Sequence, residues 1–253
     1  MVWSWGFCRL SRSQISIKTA HRSRFNKFTT PLLRIAKDNA IVSSSANKYK
    51  QLRLQALSVA PTSFSSTYEI ESALPDTEWV NRLAAIGKET FICAATPTKN
   101  NPASSQDSEQ SIWVGQLTLR GPQSPEDFTL PEESGQKKPT EEENKELWQM
   151  LSLFTLPDHR GHGLGKRLCQ EALNYLASYR ESPRKVWVRL MVKPENHATV
   201  SLYRRLGFAE AGKCTLAEAM VANGDRDLLP EDISGGKYSS RSGLIMILEL
   251  CRP

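Results

Sequence analysis

The 253-residue sequence has no uninterrupted apolar segment approaching the length of a membrane-spanning helix, so a soluble protein is expected. It also lacks the cysteine spacings of a metal or disulfide framework. The five cysteines, Cys8, Cys93, Cys169, Cys214 and Cys251, are scattered and odd in number, with no Cys-x-x-Cys pair and no His/Cys ligand spacing. Reduced thiols and no bound metal are the expectation. No internal repeat is apparent. Acidic residues are missing from the first 37 positions, which hold eight Lys or Arg, while the remainder carries 25 basic against 27 acidic side chains. The net charge of +6 therefore belongs to the amino-terminal tail, and a near-neutral body argues against a nucleic-acid surface.

Residues 1–28 are basic, serine-rich and free of acids, with scattered Trp, Phe, Leu and Ile. That is the composition of a mitochondrial targeting peptide, and a disordered extension fits it equally. The expected organisation is a tail over 1–30 and one α/β domain over 31–253, with polar insertions at 97–111, 120–145 and 222–243. The expected location is intracellular, cytoplasmic or nuclear, with the mitochondrion as the alternative the tail suggests.

The chain's chemistry concentrates between Glu146 and Leu176. An apolar run, Leu147 to Phe154, is of strand length; a glycine cluster follows at Gly161, Gly163 and Gly165; then Leu164, Leu168, Ala172 and Leu176 recur four apart, as on one helix face. Strand, glycine turn and helix N-terminus together offer unpaired N–H groups and a positive dipole end to a phosphate. Two familiar phosphate loops fail on spacing. A nucleotide-binding P-loop needs glycine at position 160 and Ser or Thr at 167, where Arg160 and Arg167 stand. A dinucleotide fingerprint starting at Gly161 needs glycine at 166, which is Lys166.

Arg160-Gly161-His162-Gly163-Leu164-Gly165 instead resembles the Arg/Gln-x-x-Gly-x-Gly/Ala signature of the GCN5-related N-acetyltransferase (GNAT) superfamily. A second segment, Asn196 to Phe208 with Leu202-Tyr203 and Gly207-Phe208, follows a strand at Val186–Val192 and is similar to that family's fourth helix. Arg53 to Leu57 and Pro61 to Phe64 resemble its first helix and following loop, which helps line the acceptor side. The resemblance runs over about residues 31–250. It implies a mixed, mostly antiparallel central sheet flanked by helices, and transfer of acetyl from acetyl-coenzyme A, without a metal, to a primary amine on a small molecule or a protein. Transfer of another acyl group, or a non-catalytic acyl-coenzyme A sensor, are the alternatives. No nucleic-acid or membrane partner is expected.

Carried over residue by residue, the resemblance implies that backbone N–H groups from Gly161 through His162, Gly163 and Leu164 to Gly165 hold the pyrophosphate, with Arg160 and Lys166 adding charge. Leu153, Phe154 and Thr155 would run along the pantetheine arm, and a strand N–H would polarise the thioester carbonyl. Tyr203 matches the tyrosine placed near the sulfur, a candidate acid for the departing thiolate, though a tyrosine packed against the sheet explains it as well. Asn196 suits either the pantetheine arm or a helix cap. For the general base, Glu146 is the nearest acid before the central strand; none lies within Leu147–Thr155.

Elsewhere, strands are expected at Leu32–Ala36, Phe91–Ala95, Ile112–Leu119 and Leu244–Leu250, the last buried on both faces. Helices are expected at Tyr49–Val59, opened from Asp38 or Ser45, and at Thr77–Ile86, with Trp79, Leu83 and Ile86 inward. The segment 120–145, rich in proline and containing Glu141–Glu143, is expected to be a solvated loop, an acidic lip for cationic acceptors being the alternative, with Phe128 and Leu130 as a small anchor against the body.

Overall fold

In the computed structural model, which describes residues 28–97, 111–140 and 144–253, the apolar runs become the strands of one sheet. They are β1 (Phe28–Thr29), β2 (Leu32–Arg34), β3 (Lys88–Pro97), β4 (Ile112–Gln123), β5 (Lys145–Thr155), β6 (Lys185–Val192), β7 (Ala209–Cys214) and β8 (Gly243–Cys251). The order is β1-β3-β4-β5-β6-β8-β7, with β2 also pairing β3. Among the described residues only β5 and β6 run parallel; every other pair is antiparallel. Residues 1–27, where a disordered or targeting tail is expected, the connector 98–110 and Glu141–Glu143 lie outside the described residues.

Helices cover both faces. On one face lie α5 (Leu164–Ser178) and α6 (His197–Arg205); Leu164, Leu168, Cys169, Ala172 and Leu176 of α5 are buried against β3–β6. Each leucine so placed contributes about 1.5–3 kcal/mol. On the other face α1 (Asn39–Val59) and α3 (Asp76–Ala84) enclose Tyr49, Leu52, Trp79 and Leu83 around Ile92 of β3. Asp38 caps α1, accepting from Ala40 and Ile41 N–H groups. The helix thus starts ten residues before Tyr49, because Val42 and Ala46 continue its buried stripe through a polar stretch with little apolar contrast. Helix α3 ends before Ile86, whose side chain is fully exposed instead of inward.

Between α1 and α3, the short helix α2 (Tyr68–Ser72) buries Glu71 completely. Arg53 donates to both its carboxylate oxygens, at 3.0 and 2.6 Å, and Arg82 donates at 3.1 Å. Burial alone would raise the Glu71 carboxyl, but the two guanidiniums hold it below its ordinary value.

The segment 120–145 is not a solvated loop over its described residues. Short helix α4 (Pro125–Phe128) and the turn Glu132–Ser134 bury Phe128, Leu130, Ser134 and Gln136. The physical reason is Arg189 of β6, wholly buried and, among the described residues, without a carboxylate partner. Its guanidinium lies 4.0 Å from the Phe128 ring centre and donates to Gln136 at 3.0 Å, to Gln149 at 2.7 Å and to the Phe128 carbonyl. Burial pushes its pKa down to about 10. The segment also presses on β7, where a Cβ at Gly212 (φ +134°) would collide with the Ser134 carbonyl oxygen.

Past β7, Leu216–Val221 forms the core of helix α7 (Leu216–Asn223), opened by a capping box in which Thr215 and Glu218 satisfy each other's backbone N–H. A four-residue helix α8 (Gly236–Ser239) precedes β8. Strand β8 lies between β6 and β7 and is covered on both faces at its middle, Met246 being buried in the core with α5 and Ile245 on the other side with Leu130 and Cys214.

Candidate active site

Strands β5 and β6 pair in register from Lys145↔Lys185 to Gln149↔Arg189, and there the pairing stops. Both continue, β5 to Thr155 and β6 to Val192, so the sheet divides in its middle. The cause lies in β5. Between Gln116↔Phe154 and Thr118↔Leu151 the strand carries one residue more than β4, and Ser152 sits at φ +58°, in the left-handed region a serine seldom adopts. This bulge bends β5 and shifts its side-chain alternation. Trp148 and Met150 face α5; after the bulge Leu153 joins them, while Phe154 turns to the α1 face, its ring 6.1 Å from Phe64. Backbone groups of β5 beyond the bulge therefore have a partner on the β4 side and an open edge toward β6.

The open edge leads into the glycine turn. Leu156 bonds back to the Val114 carbonyl at 2.8 Å, Pro157–His159 makes one tight turn, and α5 begins at Leu164. Gly161 and Gly163 hold φ of +79° and +75°. The start of α5 has no side-chain cap and no acid in its first turn; its first helical bond runs from Arg167 N–H to the Gly163 carbonyl. The N–H groups of Leu164, Gly165 and Lys166 thus lack an intrahelical partner, the arrangement that receives an anion. A Cβ built at Gly161 or Gly163 would meet nothing within 4 Å, which leaves the approach open. Arg160 folds back instead, donating to the Thr155 carbonyl at 3.0 Å with its guanidinium 5.6 Å from the Phe154 ring centre. Lys166 and His162 are exposed on the turn.

On the opposite face, the split opens into a cavity of ≈ 500 Å³. Its floor is Met150–Ser152 of β5 and Met191–Lys193 at the end of β6; its walls are Arg53, the loop 61–67, and the segment from Cys214 through α7 to Gly243. The size suits a small ligand or the end of a side chain. Behind the bulge lies a polar cavity of ≈ 20 Å³, bordered by Arg53, Arg82, Lys88, Ser152 and Asp225 among others.

The remaining sequence candidates divide. Asn196 is the cap of α6, its side chain accepting from Thr199 N–H at 3.4 Å. Tyr203 is 6 % exposed, its ring 5.7 Å from that of Phe208, and burial raises its hydroxyl well above 10, with Cys169 adding to the shift, so it stays protonated at neutral pH. Glu146 does not reach the site. It sits at the closed end of the β5–β6 pair, opposite Val186, and is 2 % exposed. Arg252 donates to it at 2.6 and 3.4 Å, Trp148 at 2.5 Å, and Arg180 also pairs with it. A carboxylate so occupied has no lone pair free for a substrate proton, which overturns its candidacy as base.

Sequence reading missed three parts of the site. The Thr215-x-x-Glu218 pattern was a visible signal for α7, which walls the cavity. Ser152 interrupting the apolar run was a faint one for the bulge. Asp225 carried none, because its place depends on the return of a long chain segment onto the sheet.

A family model, the acetyltransferase (GNAT) domain, matches residues 134–210, which include β5, the glycine turn, α5, β6 and α6. An uncharacterized N-acetyltransferase of Methanocaldococcus jannaschii is 35% identical over 68 residues, 27% of this chain and 28% of that protein, so the match spans little more than a quarter of the relative's length. Among solved structures, a GNAT-family acetyltransferase of Streptococcus pneumoniae aligns with a TM-score of 0.51 at 14% identity, covering 87% of this chain and 99% of that one. A candidate acetyltransferase of Acinetobacter baylyi aligns with a TM-score of 0.53 at 12% identity, over 89% and 96%. At such identities the structures show a common fold. Among the described residues no helix is long and apolar enough to cross a membrane, and no cluster of three or more His, Cys, Asp or Glu could hold a metal ion. Divided sheet, uncapped glycine turn and family match coincide on the same residues, and the segment 134–210 that carries them is similar to the acetyltransferase (GNAT) domain.

Proposed function

We propose that the protein transfers the acetyl group of acetyl-coenzyme A to a primary amine by direct attack of the amine on the thioester. The observation that carries this reading is the continuity of the uncapped turn at Gly161–Lys166 with the open edge of β5 beyond Ser152. The turn suits the pyrophosphate, through its N–H groups and the positive end of α5. The open edge of Leu153–Thr155 suits the pantetheine amides, which would bond to it as an added strand. The thioester then falls at the bulge, where an outward backbone N–H can meet the charge that develops on its carbonyl oxygen. The cavity on the far face admits the amine.

The departing thiolate needs a proton, and Tyr203, held protonated by its burial, is the proposed donor. Tyr203→Phe is expected to lower kcat by about a hundredfold or more, with the affinity for acetyl-coenzyme A unchanged. Stopped-flow detection of free thiol separates the two quantities, and an unaltered kcat would remove Tyr203 from the mechanism. The reading as a whole is tested by thiol release from acetyl-coenzyme A against a panel of primary amines, with mass spectrometry of the product. Tight binding without transfer to any amine would favour a sensor over a transferase.

A further inference from the structure

Among the described residues, one carboxylate lines the cavity on the acceptor face, that of Asp225. Asp225 follows the left-handed Gly224 that ends α7, and its backbone N–H bonds the Met220 carbonyl at 2.9 Å, which fixes it at the head of the loop toward α8. It borders both cavities, as do Arg53, Leu151 and Ser152, so it faces the bulge from the side on which an acceptor arrives. Its side chain is half-buried, yet among the described residues no hydrogen bond or ion pair engages it. Neighbouring Glu71 offers the contrast: both its oxygens are committed to Arg53 and Arg82. A carboxylate in a ligand-sized cavity with its lone pairs uncommitted is built to receive a donor from outside the chain.

We propose, on the basis of the transferase reading above, that Asp225 is the acceptor-side carboxylate: it binds the ammonium group of the substrate and takes the proton that must leave before the amine attacks. An N–H bond of the ammonium breaks, its proton passing to Asp225 directly or through one water. The freed lone pair forms the C–N bond to the acyl carbon; the C–S bond breaks, and the sulfur keeps its electron pair. The second amine proton accompanies the thiolate as it becomes thiol, by way of the donor, and Asp225 returns its proton to solvent. One ammonium and one thioester yield one amide, one thiol and one free proton.

The electrostatics suit a base. Burial raises the Asp225 carboxyl above its ordinary value, while Lys88, Arg82 and Arg53 pull it down and Glu71 pushes it up. The other charged groups lining the larger cavity are Lys193 and Lys237, and Tyr49 borders the smaller one. A carboxyl raised by burial is a stronger proton acceptor near neutrality than a solvated aspartate. It also means that the ionised form does not stabilise the fold, so Asp225→Asn is expected to melt no lower than the parent protein at pH 7.

The test uses the full chain with acetyl-coenzyme A and three acceptor probes, phenethylamine, spermidine and a lysine-containing peptide. For the probe giving the fastest thiol release, Asp225→Asn is expected to lower kcat/KM for the amine by about a hundredfold or more. The calorimetric affinity for acetyl-coenzyme A should be unchanged, and the acid limb of the kcat/KM profile should move up toward the pKa of the free amine. Asp225→Glu is expected to recover part of the rate and an acid limb. Wild-type transfer with an Asp225→Asn rate within twofold of it overturns the proposal alone. A rate loss accompanied by an equal loss of acetyl-coenzyme A affinity, or by a fall in melting temperature, assigns Asp225 a structural role and overturns it as well. Bound acetyl-coenzyme A with no release by any probe overturns the transferase reading, and this proposal with it.

Discussion

Replacing Gly163 by valine is expected to cut the affinity for acetyl-coenzyme A by about a hundredfold or more while leaving the protein folded. Gly163 is held at φ +75° at the start of α5. A β-branched side chain there costs about 1–3 kcal/mol in backbone strain, and relief of that strain rotates the peptide planes whose N–H groups face the anion. Loss of two charge-assisted hydrogen bonds, each worth about 1.5–3 kcal/mol, corresponds to at least a hundredfold in affinity. The fold survives because the new Cβ meets nothing within 4 Å, so no packing is displaced. Calorimetric titration and a thermal melt of the same variant separate the two effects. Unchanged affinity would show that the turn does not hold the cofactor.

Glu146→Gln is expected to do the reverse. The isosteric amide removes the charge that compensates Arg252, itself 3 % exposed, and leaves the buried guanidinium with neutral acceptors alone, the Leu176 and Pro183 carbonyls at 2.8 and 2.6 Å and the new amide oxygen. Breaking a buried pair by neutralising one partner costs about 3–5 kcal/mol. For a chain of this size that is a fall of roughly 10 °C in melting temperature. Because Glu146 ties the carboxy-terminal Arg252 and the end of α5 to the closed end of the β5–β6 pair, the effect should be on stability and not on turnover of the folded fraction. Loss of turnover with an unaltered melt would return Glu146 to the role of base.

These two residues illustrate what the amino-acid sequence reveals. The glycine turn and the periodic face of α5 were legible because both are local: a left-handed φ selects glycine, and a four-residue apolar recurrence selects one helix face. The mixed sheet followed from the strand-length apolar runs together with the family resemblance. Glu146 misled because proximity in sequence to the central strand says nothing of which end of that strand is open. Arg252, which claims it, lies 106 positions away. The same limit applies to the segment 120–145. Its prolines and acids suggest a solvated loop, and only the buried, unpaired Arg189 on a distant strand explains why Phe128 and Gln136 pack down. The short reach of α1 in the sequence reading has a different cause, since Val42 and Ala46 are too small and too diluted by serine to mark a helix face. Asp225 depends wholly on tertiary placement, and so does the acceptor cavity it borders.

The most direct test is a calorimetric comparison of acetyl-coenzyme A with S-acetylpantetheine, which lacks the pyrophosphate, on the parent protein and on Gly163→Val. If the turn at Gly161–Lys166 holds the pyrophosphate, the parent binds acetyl-coenzyme A at least about a hundredfold more tightly, and Gly163→Val removes that difference. Equal affinity of the parent for both ligands, or no binding of acetyl-coenzyme A, would contradict it.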